Sequence, residues 1–145
     1  MEHSVSTNWK EGLCFESDVV GFNVTMDAKP ESGGQNMGPN PKRLMLSAMT
    51  GCTGMDVISL LEKMRQDVTD FSIEASARQT EEHPKHYDRI HIIYKFKGND
   101  LDESKIKKAV NLSLDKYCGI SYMLGKTAKI DFEIEIESDQ KLTIV

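Results

Sequence analysis

The stretch from Gly38 to Arg65 reads GPNPKRLMLSAMTGCTGMDVISLLEKMR and predicts one long helix. Asn40 and Pro41 are typical of a helix start, because Asn caps the free N–H groups and Pro fits the first helical position. Apolar residues then recur at helical spacing as far as about Met64. They are Leu44, Met45, Ala48, Met49, Cys52, Met55, Ile58 and Leu61. A helix this long and this apolar must be covered on more than one side.

Two glycines, Gly51 and Gly54, interrupt this helix on either side of Cys52. Each costs about 1 kcal/mol relative to alanine in a helix interior. The helical spacing places Cys52 on the apolar side, so a buried core cysteine is one interpretation. The glycines also remove side chains around the thiol, which would let a ligand or another backbone approach closely. A tight helix crossing would explain the same glycines, and the two interpretations are compatible.

The composition indicates an ordinary globular protein, with residues 1–145 as one domain. A net charge of −5 and a pI near 5.4 disfavour a nucleic-acid partner, which would normally require a basic face. The N-terminal residues MEHSVSTNWKEG lack the basic-then-apolar pattern of a signal peptide. No apolar run long enough to span a bilayer is expected, so a cytoplasmic location without a membrane partner is the default.

The remaining segments predict strands around this helix and a second one. Residues 2–28 alternate as extended strands, and 29–40 form a Gly/Pro-rich loop. A hairpin follows at 71–80 and 89–98, then a helix at about 102–117 and a last strand at 128–138. Asp100 or Asp102 caps the second helix, whose inner residues are Ile106, Ala109, Val110 and Leu114. This order predicts an α+β fold with mostly antiparallel pairing.

The chain has three cysteines, Cys14, Cys52 and Cys118. An odd, small number disfavours a disulfide framework, and the absence of Cys/His ligand spacing disfavours a zinc site. Cys14 lies in a predicted strand and is interpreted as a sheet residue. Cys118 lies at the end of the second helix, where Gly119 would be a left-handed cap. Alternatively Cys118 is a partner thiol for Cys52, which two packed helices would allow.

The helix segment GPNPKRLMLSAMTGCTGMDVISLLEKMR and the later LSLDKYCGISYML resemble the OsmC/Ohr family of osmotically inducible and organic-hydroperoxide-resistance proteins, in its OsmC-like branch. FNVTMDA and HPKHYDRIHIIYKFKGNDLDESKIKKAVNLS extend the similarity over most of the chain. The specific part is a pair of cysteines, one in GCTG and one in YCGIS. The resemblance implies an OsmC-like fold with an antiparallel sheet and two main helices. It also implies an intertwined homodimer in which the long helices pack centrally.

The resemblance further implies a thiol-dependent peroxidase that reduces organic hydroperoxides, and hydrogen peroxide as a further substrate. Cys52 would be the peroxidatic nucleophile, which becomes a sulfenic acid. Cys118 would be the resolving thiol, which closes an intramolecular disulfide. A small dithiol or a lipoyl-type dithiol would then reduce this disulfide by exchange. No metal, haem or flavin cofactor is implied.

The charges around the long helix depart from the family pattern. The peroxidase branch supplies an arginine from its N-terminal strand region, held by a glutamate near the start of the long helix. Here no arginine precedes Arg43, and Lys42 and Arg43 stand where the glutamate would fall. Arg43 is either a supporting cation that reaches the thiol across a dimer or a solvated cation at the helix start. Asp56 is expected to hydrogen-bond near Cys52 without stabilising its thiolate.

These inverted charges favour a second hypothesis. In it, the protein is a non-enzymatic OsmC-like dimer that binds a small apolar or oxidised metabolite in a stress response. The two hypotheses share the fold and the thiols and differ in whether Cys52 reacts with peroxide.

Overall fold

Three strands near the N-terminus form an antiparallel sheet in the computed structural model, which describes residues 1–138 and 141–145. They are β1 (Ser6–Glu11), β2 (Cys14–Val19) and β3 (Phe22–Met26). This sheet belongs to a first unit of residues 1–47, and residues 48–145 form a second unit. The strands predicted in residues 2–28 are confirmed. Cys14 begins β2 and is buried, as expected for a sheet residue.

The loop after β3 is organised around the carboxylate of Asp27. Its two oxygens accept hydrogen bonds from the backbone N–H groups of Ala28, Gln35 and Met37, at 2.7, 3.0 and 3.1 Å. Chiefly because of the Met37 N–H, the pKa of Asp27 is lowered from its ordinary value. Residues 29–40 are a loop as predicted, apart from a single 3₁₀ turn at Pro30–Ser32.

The long helix α1 (Pro41–Lys63) begins where the sequence predicts and ends one residue before the predicted Met64. The Asn40 side chain caps it by accepting a 3.0 Å hydrogen bond from the Lys42 N–H. Its buried residues repeat every fourth position, at Met49, Thr53, Val57 and Leu61. The predicted apolar positions are therefore only partly inward, since Met45, Met55 and Ile58 are exposed.

The expectation that no apolar run is long enough for a membrane is wrong for α1. By length and composition this helix could cross a bilayer, although only 22% of its apolar window is buried in the chain. Small polar residues interrupt the apolar run in SAMTGCTGMDV, but this segment contains only one charged residue, Asp56. Core helices of soluble proteins pass the same test, so the finding is weak evidence for a membrane. What it establishes is a long apolar helix with four fully buried residues and with large apolar side chains exposed at Met45, Met55 and Ile58.

The second unit contains a four-stranded sheet in the order β4-β5-β6-β7. Its strands are β4 (Asp67–Gln79), β5 (Tyr87–Asn99), β6 (Lys129–Ser138) and β7 (Lys141–Ile144). The β4–β5 hairpin and the β6–β7 pair are antiparallel, whereas β5 and β6 run parallel. A parallel pair needs a long connection, and the helices between β5 and β6 provide it. The predicted α+β fold with mostly antiparallel pairing is confirmed.

The predicted second helix is interrupted before it reaches Cys118. It consists of α2 (Glu103–Leu112), capped by Asp102, followed by a π-helical turn at Ser113–Tyr117. In this turn the Cys118 N–H bonds to the Ser113 carbonyl, five residues back, at 2.8 Å. The extra residue per turn shifts the register. Ser113 follows the buried Ala109 and Val110 at ordinary helical spacing and is fully buried, whereas Leu114, predicted to face inward, is only half-buried.

Candidate functional site

Two of the three cysteines meet in the second unit, although they come from different elements. Cys52 lies in the middle of α1, and Cys118 directly precedes the short helix α3 (Gly119–Leu124). Their sulfur atoms and one carboxylate oxygen of Asp56 all lie within 4.8 Å of one another. Both thiols are free. The structure thus brings together the two cysteines that the sequence singles out.

Cys118 is the more buried of the two thiols, at 2% exposure. Its sulfur caps α3 by accepting hydrogen bonds from the backbone N–H of Ser121 at 3.3 Å and from its hydroxyl at 3.0 Å. The interpretation of Gly119 as a left-handed helix cap is wrong, because Gly119 is the first residue of α3 and lacks a positive φ. Two donors therefore fix the position of the Cys118 sulfur.

Cys52 is half-buried, and its surroundings disfavour the thiolate. Burial raises the pKa of this thiol above its ordinary value of 9.0. A hydrogen bond with the Cys118 thiol and the negative charge of Asp56 raise this pKa further, and the N–H of Ile120 lowers it in part. The expectation that Asp56 lies near the thiol without stabilising its anion is confirmed.

A chain of buried hydroxyl groups leads away from Asp56 into the core. Ser113 Oγ donates to Asp56 Oδ2 at 3.0 Å, and Thr53 Oγ1 lies 2.8 Å from both Ser113 Oγ and Tyr94 Oη. Ser113 donates its single hydroxyl hydrogen to the carboxylate of Asp56. It can therefore only accept from Thr53, whose hydroxyl is the donor between them. Thr53 then accepts from Tyr94. The hydrogen bonds therefore run in one direction, from Tyr94 to Asp56.

Tyr94 is fully buried in β5, at the inner end of this chain. Burial raises the pKa of its phenol to about 12, only partly offset by the hydrogen bond with Thr53. The phenol therefore stays protonated at neutral pH and remains a donor.

Sequence reasoning missed most of the polar residues that surround the thiols. A signal for Thr53 was present, since it interrupts the buried stripe of Met49 and Val57, and a buried hydroxyl requires a partner. Ser113 also had a signal, because it follows the buried Ala109 and Val110 at helical spacing, whereas Ser121 in α3 had none. The residues missed are Thr53, Tyr94, Ser113 and Ser121.

The two glycines beside Cys52 have different surroundings. A Cβ atom at Gly54 would lie 3.1 Å from Cδ1 of Ile73 in β4, so this glycine permits close packing of helix on strand. A Cβ at Gly51 would meet no atom within 4 Å. Close packing thus explains Gly54, whereas Gly51 borders open space. Arg43, the candidate supporting cation, is exposed in the first turn of α1.

A shallow cavity of about 470 Å³ shares Ser121 with the cysteine site. Its wall is mixed, because Lys126 and Lys129 stand beside aromatic and aliphatic side chains. The Lys126 ammonium lies 4.2 Å from the centre of the Tyr122 ring, a cation–π contact. The apolar part of the wall is formed by Leu114, Tyr122, Ile130 and Phe132.

Fold and site together define an α+β dithiol protein, in which a cysteine within α1 and a cysteine that caps α3 share one site. Residues 33–134 match the family model described as OsmC-like protein. The chain is 35% identical over 129 residues to protein YhfA of Escherichia coli K12, covering 88% of this chain and 93% of YhfA. The chain therefore belongs to the OsmC-like family, as the sequence resemblance predicts.

Solved structures show the same fold. A hypothetical protein from Aquifex aeolicus superposes with a TM-score of 0.85 at 28% identity, over 96% of this chain and 98% of that one. The organic hydroperoxide resistance protein OhrB of Bacillus subtilis superposes with a TM-score of 0.66 at 16% identity, over 92% and 98% of the two chains. At this identity the likeness to OhrB concerns the fold alone.

Proposed function

We propose that this protein is a thiol-dependent peroxidase that reduces organic hydroperoxides through Cys52 and Cys118. The observation that carries the proposal is the approach of the two free sulfurs to within 4.8 Å. Membership of the OsmC-like family supports it. So does the shared fold with proteins named for organic hydroperoxide resistance, from Bacillus subtilis and Legionella pneumophila.

Cys52 is the peroxidatic residue in this proposal, because it is the more exposed thiol of the pair. Its thiolate attacks the terminal oxygen of the hydroperoxide, so that an S–O bond forms and the O–O bond breaks. The alkoxide that leaves takes up a proton and becomes an alcohol. Cys52 is left as a sulfenic acid.

Cys118 resolves this intermediate. Its thiolate attacks the Cys52 sulfur, an S–S bond forms, and the hydroxyl group leaves as water after taking up a proton. For this step the sulfurs must close from within 4.8 Å to about 2.05 Å. The backbone N–H and the hydroxyl of Ser121 both donate to the Cys118 sulfur, so the movement weakens or breaks these two hydrogen bonds.

A dithiol reductant, either small or of the lipoyl type, completes the cycle. One of its thiolates attacks the disulfide, and its second thiol releases the protein and forms a cyclic disulfide. The net reaction converts a hydroperoxide and a dithiol into an alcohol, a disulfide and water. It needs no metal, haem or flavin.

The same proposal includes a homodimer. Large apolar side chains are exposed in the first unit, among them Trp9 at 65% and Phe22 at 76%, and Met55 of α1 is 72% exposed. Exposed apolar side chains of this kind mark association surfaces, and α1 also exposes Met45 and Ile58. In a dimer, Arg43 of the second copy is the candidate cation that would lower the pKa of Cys52.

The second candidate function, a non-enzymatic dimer that binds a small apolar or oxidised metabolite, is favoured by one observation. Burial, Cys118 and Asp56 all raise the pKa of Cys52, and no cation is among the largest influences on it in the part of the chain described. A thiol of this kind reacts slowly with peroxide at neutral pH.

Peroxide consumption separates the two candidates. We expect the protein with a dithiol to consume cumene hydroperoxide, Cys52→Ser to abolish consumption, and Cys118→Ser to allow one turnover that stops at the sulfenic acid. Cys14→Ser is the matched control, because Cys14 lies outside the site, and it should keep full activity. Mass spectrometry of the oxidised protein should show a Cys52–Cys118 disulfide. Peroxide consumption unchanged in Cys52→Ser would eliminate the peroxidase.

A further inference from the structure

The cysteine site also has the composition of a metal site. Cys52 and Asp56 stand four residues apart on the same face of α1, and Cys118 adds a second sulfur from the start of α3. Two sulfurs and a carboxylate oxygen are ligands that Zn²⁺ accepts in proteins. We propose that Cys52, Asp56 and Cys118 bind one Zn²⁺ ion when both thiols are reduced. This proposal needs only the reduced side chains and does not rest on the peroxidase function.

The distances suit a tetrahedral ion. Zn–S bonds of about 2.3 Å and Zn–O bonds of about 2.1 Å place tetrahedral ligands about 3.5–3.8 Å apart. The three ligand atoms already lie within 4.8 Å of one another. Closing the set therefore shortens each distance between ligand atoms by about 1.3 Å at most. Three protein ligands leave the fourth position to water.

Neighbouring groups hold two of the three ligands in place. Ser113 Oγ donates to Asp56 Oδ2, and it is itself fixed by the buried chain from Tyr94 and Thr53. Ser121 donates twice to the Cys118 sulfur. Metal ligands in proteins are usually oriented by such hydrogen bonds, which preserve the ligand geometry and supply affinity.

The electrostatics of the cluster also favour a cation. With both thiols ionised, two thiolates and a carboxylate whose ligand atoms lie within 4.8 Å of one another carry three negative charges, which a divalent cation offsets. On binding, Zn²⁺ replaces one proton on each thiol, and the carboxylate coordinates as the anion. Two protons leave, and the three ligand charges with the ion sum to −1. Affinity should therefore rise with pH, and a disulfide between the cysteines should abolish it.

A zinc site was disfavoured by the sequence because the chain contains no short motif in which Cys ligands lie close to one another or to His. Here Cys52 and Cys118 are joined by the fold, with β4, β5 and α2 between them. The sequence expectation of no metal therefore does not apply to ligands that come from separate helices.

Titration of the reduced, metal-free protein with Zn²⁺ and with Co²⁺ tests the proposal. We expect one Zn²⁺ per chain, and a Co²⁺ complex with the intense visible bands of a tetrahedral ion and a sulfur-to-cobalt charge-transfer band. Asp56→Asn should weaken zinc binding about tenfold or more, and either Cys52→Ser or Cys118→Ser should weaken it further. Glu62→Gln is the matched control, since it removes an exposed carboxylate from the same helix, and it should leave the affinity unchanged.

A measurement on the unmodified chain guards against variants that fold poorly. Zn²⁺, but not Mg²⁺, should slow alkylation of Cys52, and treatment with a chelator should restore the rate. The proposal is overturned if the reduced protein binds no Zn²⁺, if Asp56→Asn binds it as tightly as the wild type, or if Co²⁺ gives the weak spectrum of an octahedral oxygen site. None of these results depends on whether the protein reduces peroxide.

Discussion

The Ser113 hydroxyl donates a 3.0 Å hydrogen bond to the carboxylate of Asp56, four residues after Cys52 on α1. This bond connects the π-helical turn that precedes Cys118 to the helix that carries Cys52. Both cysteines are therefore attached, through short local contacts, to one buried chain of hydroxyl groups. Changes in this chain should affect the reactivity of the thiols as well as the stability of the fold.

Replacing Asp56 by Asn should make Cys52 more reactive at neutral pH. The negative charge of Asp56 raises the pKa of Cys52, and the amide retains an oxygen that accepts from Ser113. Because the thiolate is the reactive form, alkylation of wild-type Cys52 should increase as pH rises towards and beyond 9.0. In Asp56→Asn the same rise should occur at lower pH.

Mass spectrometry of iodoacetamide-treated protein, in the presence of a metal chelator, gives the alkylation rate of Cys52 at each pH. Glu62→Gln again serves as the control and should follow the wild-type profile. A profile for Asp56→Asn displaced to higher pH would contradict the electrostatic argument. The same variant should bind zinc more weakly, so its thiol reactivity and its metal affinity should change in opposite directions.

The buried hydroxyl chain should contribute measurably to stability. Tyr94→Phe removes the donor to Thr53, and we expect a loss of about 1 kcal/mol in the free energy of unfolding. Thr53→Val removes both of its bonds and leaves the Tyr94 hydroxyl without its partner, so the loss should be about 2–3 kcal/mol.

Urea unfolding at one fixed protein concentration measures both changes. The double variant should lose less free energy of unfolding than the two single variants together. In the double variant no Tyr94 hydroxyl is left buried without a partner, because Tyr94→Phe has removed it. Strictly additive losses would show that the two residues do not depend on each other.

The two glycines of α1 should respond differently to alanine. Gly51→Ala adds a Cβ where no atom lies within 4 Å, so the better helix propensity should stabilise the protein by about 1 kcal/mol. In Gly54→Ala the new Cβ lies 3.1 Å from Ile73 Cδ1, and overpacking should cancel that gain or exceed it.

Thermal unfolding should therefore place Gly51→Ala about 2–4 °C above the wild type and Gly54→Ala at or below it. Equal stabilisation by both substitutions would mean that packing against β4 does not require Gly54. If the proposed dimer packs on the open side of α1, Gly51→Ala should in addition weaken self-association in sedimentation experiments.

Hydrophobic periodicity was sufficient to predict the main elements of the fold. The start of α1 followed from Asn40 and Pro41, and the strand predicted at 89–98 lies within β5. The parallel pairing of β5 with β6 was not predictable from these patterns. Alternation shows which face of a strand is buried, but not which neighbour the strand pairs with.

Only the two thiol groups of the candidate site were predictable from the sequence. The local motifs around Cys52 and Cys118 identified the thiols, whereas the π-helical turn before Cys118, in which the Cys118 N–H bonds to the Ser113 carbonyl, was not predicted. A regular helix and a π-helical turn differ by one hydrogen-bond register, and side-chain periodicity over five residues is too short to distinguish them.

The loop after β3 should depend on the ionised form of Asp27. Three backbone N–H groups donate to its carboxylate, and the resulting lowered pKa means that the folded state binds this proton more weakly than the unfolded chain. The stabilisation is therefore present above the unfolded-state pKa, about 3.9, and is lost as pH falls through the lower folded-state value. Asp27→Asn should lower the melting temperature at neutral pH, because the amide NH₂ would face either the N–H groups of both Gln35 and Met37 or the N–H of Ala28. The difference from the wild type should shrink as pH falls below about 4, where the wild-type carboxyl also becomes protonated.

Differential scanning fluorimetry across this range, with exposed Asp18→Asn as the control, measures the difference. If the difference in melting temperature between Asp27→Asn and the wild type stays constant down to the lowest pH at which the protein folds, the loop depends on the shape of the side chain and not on its charge.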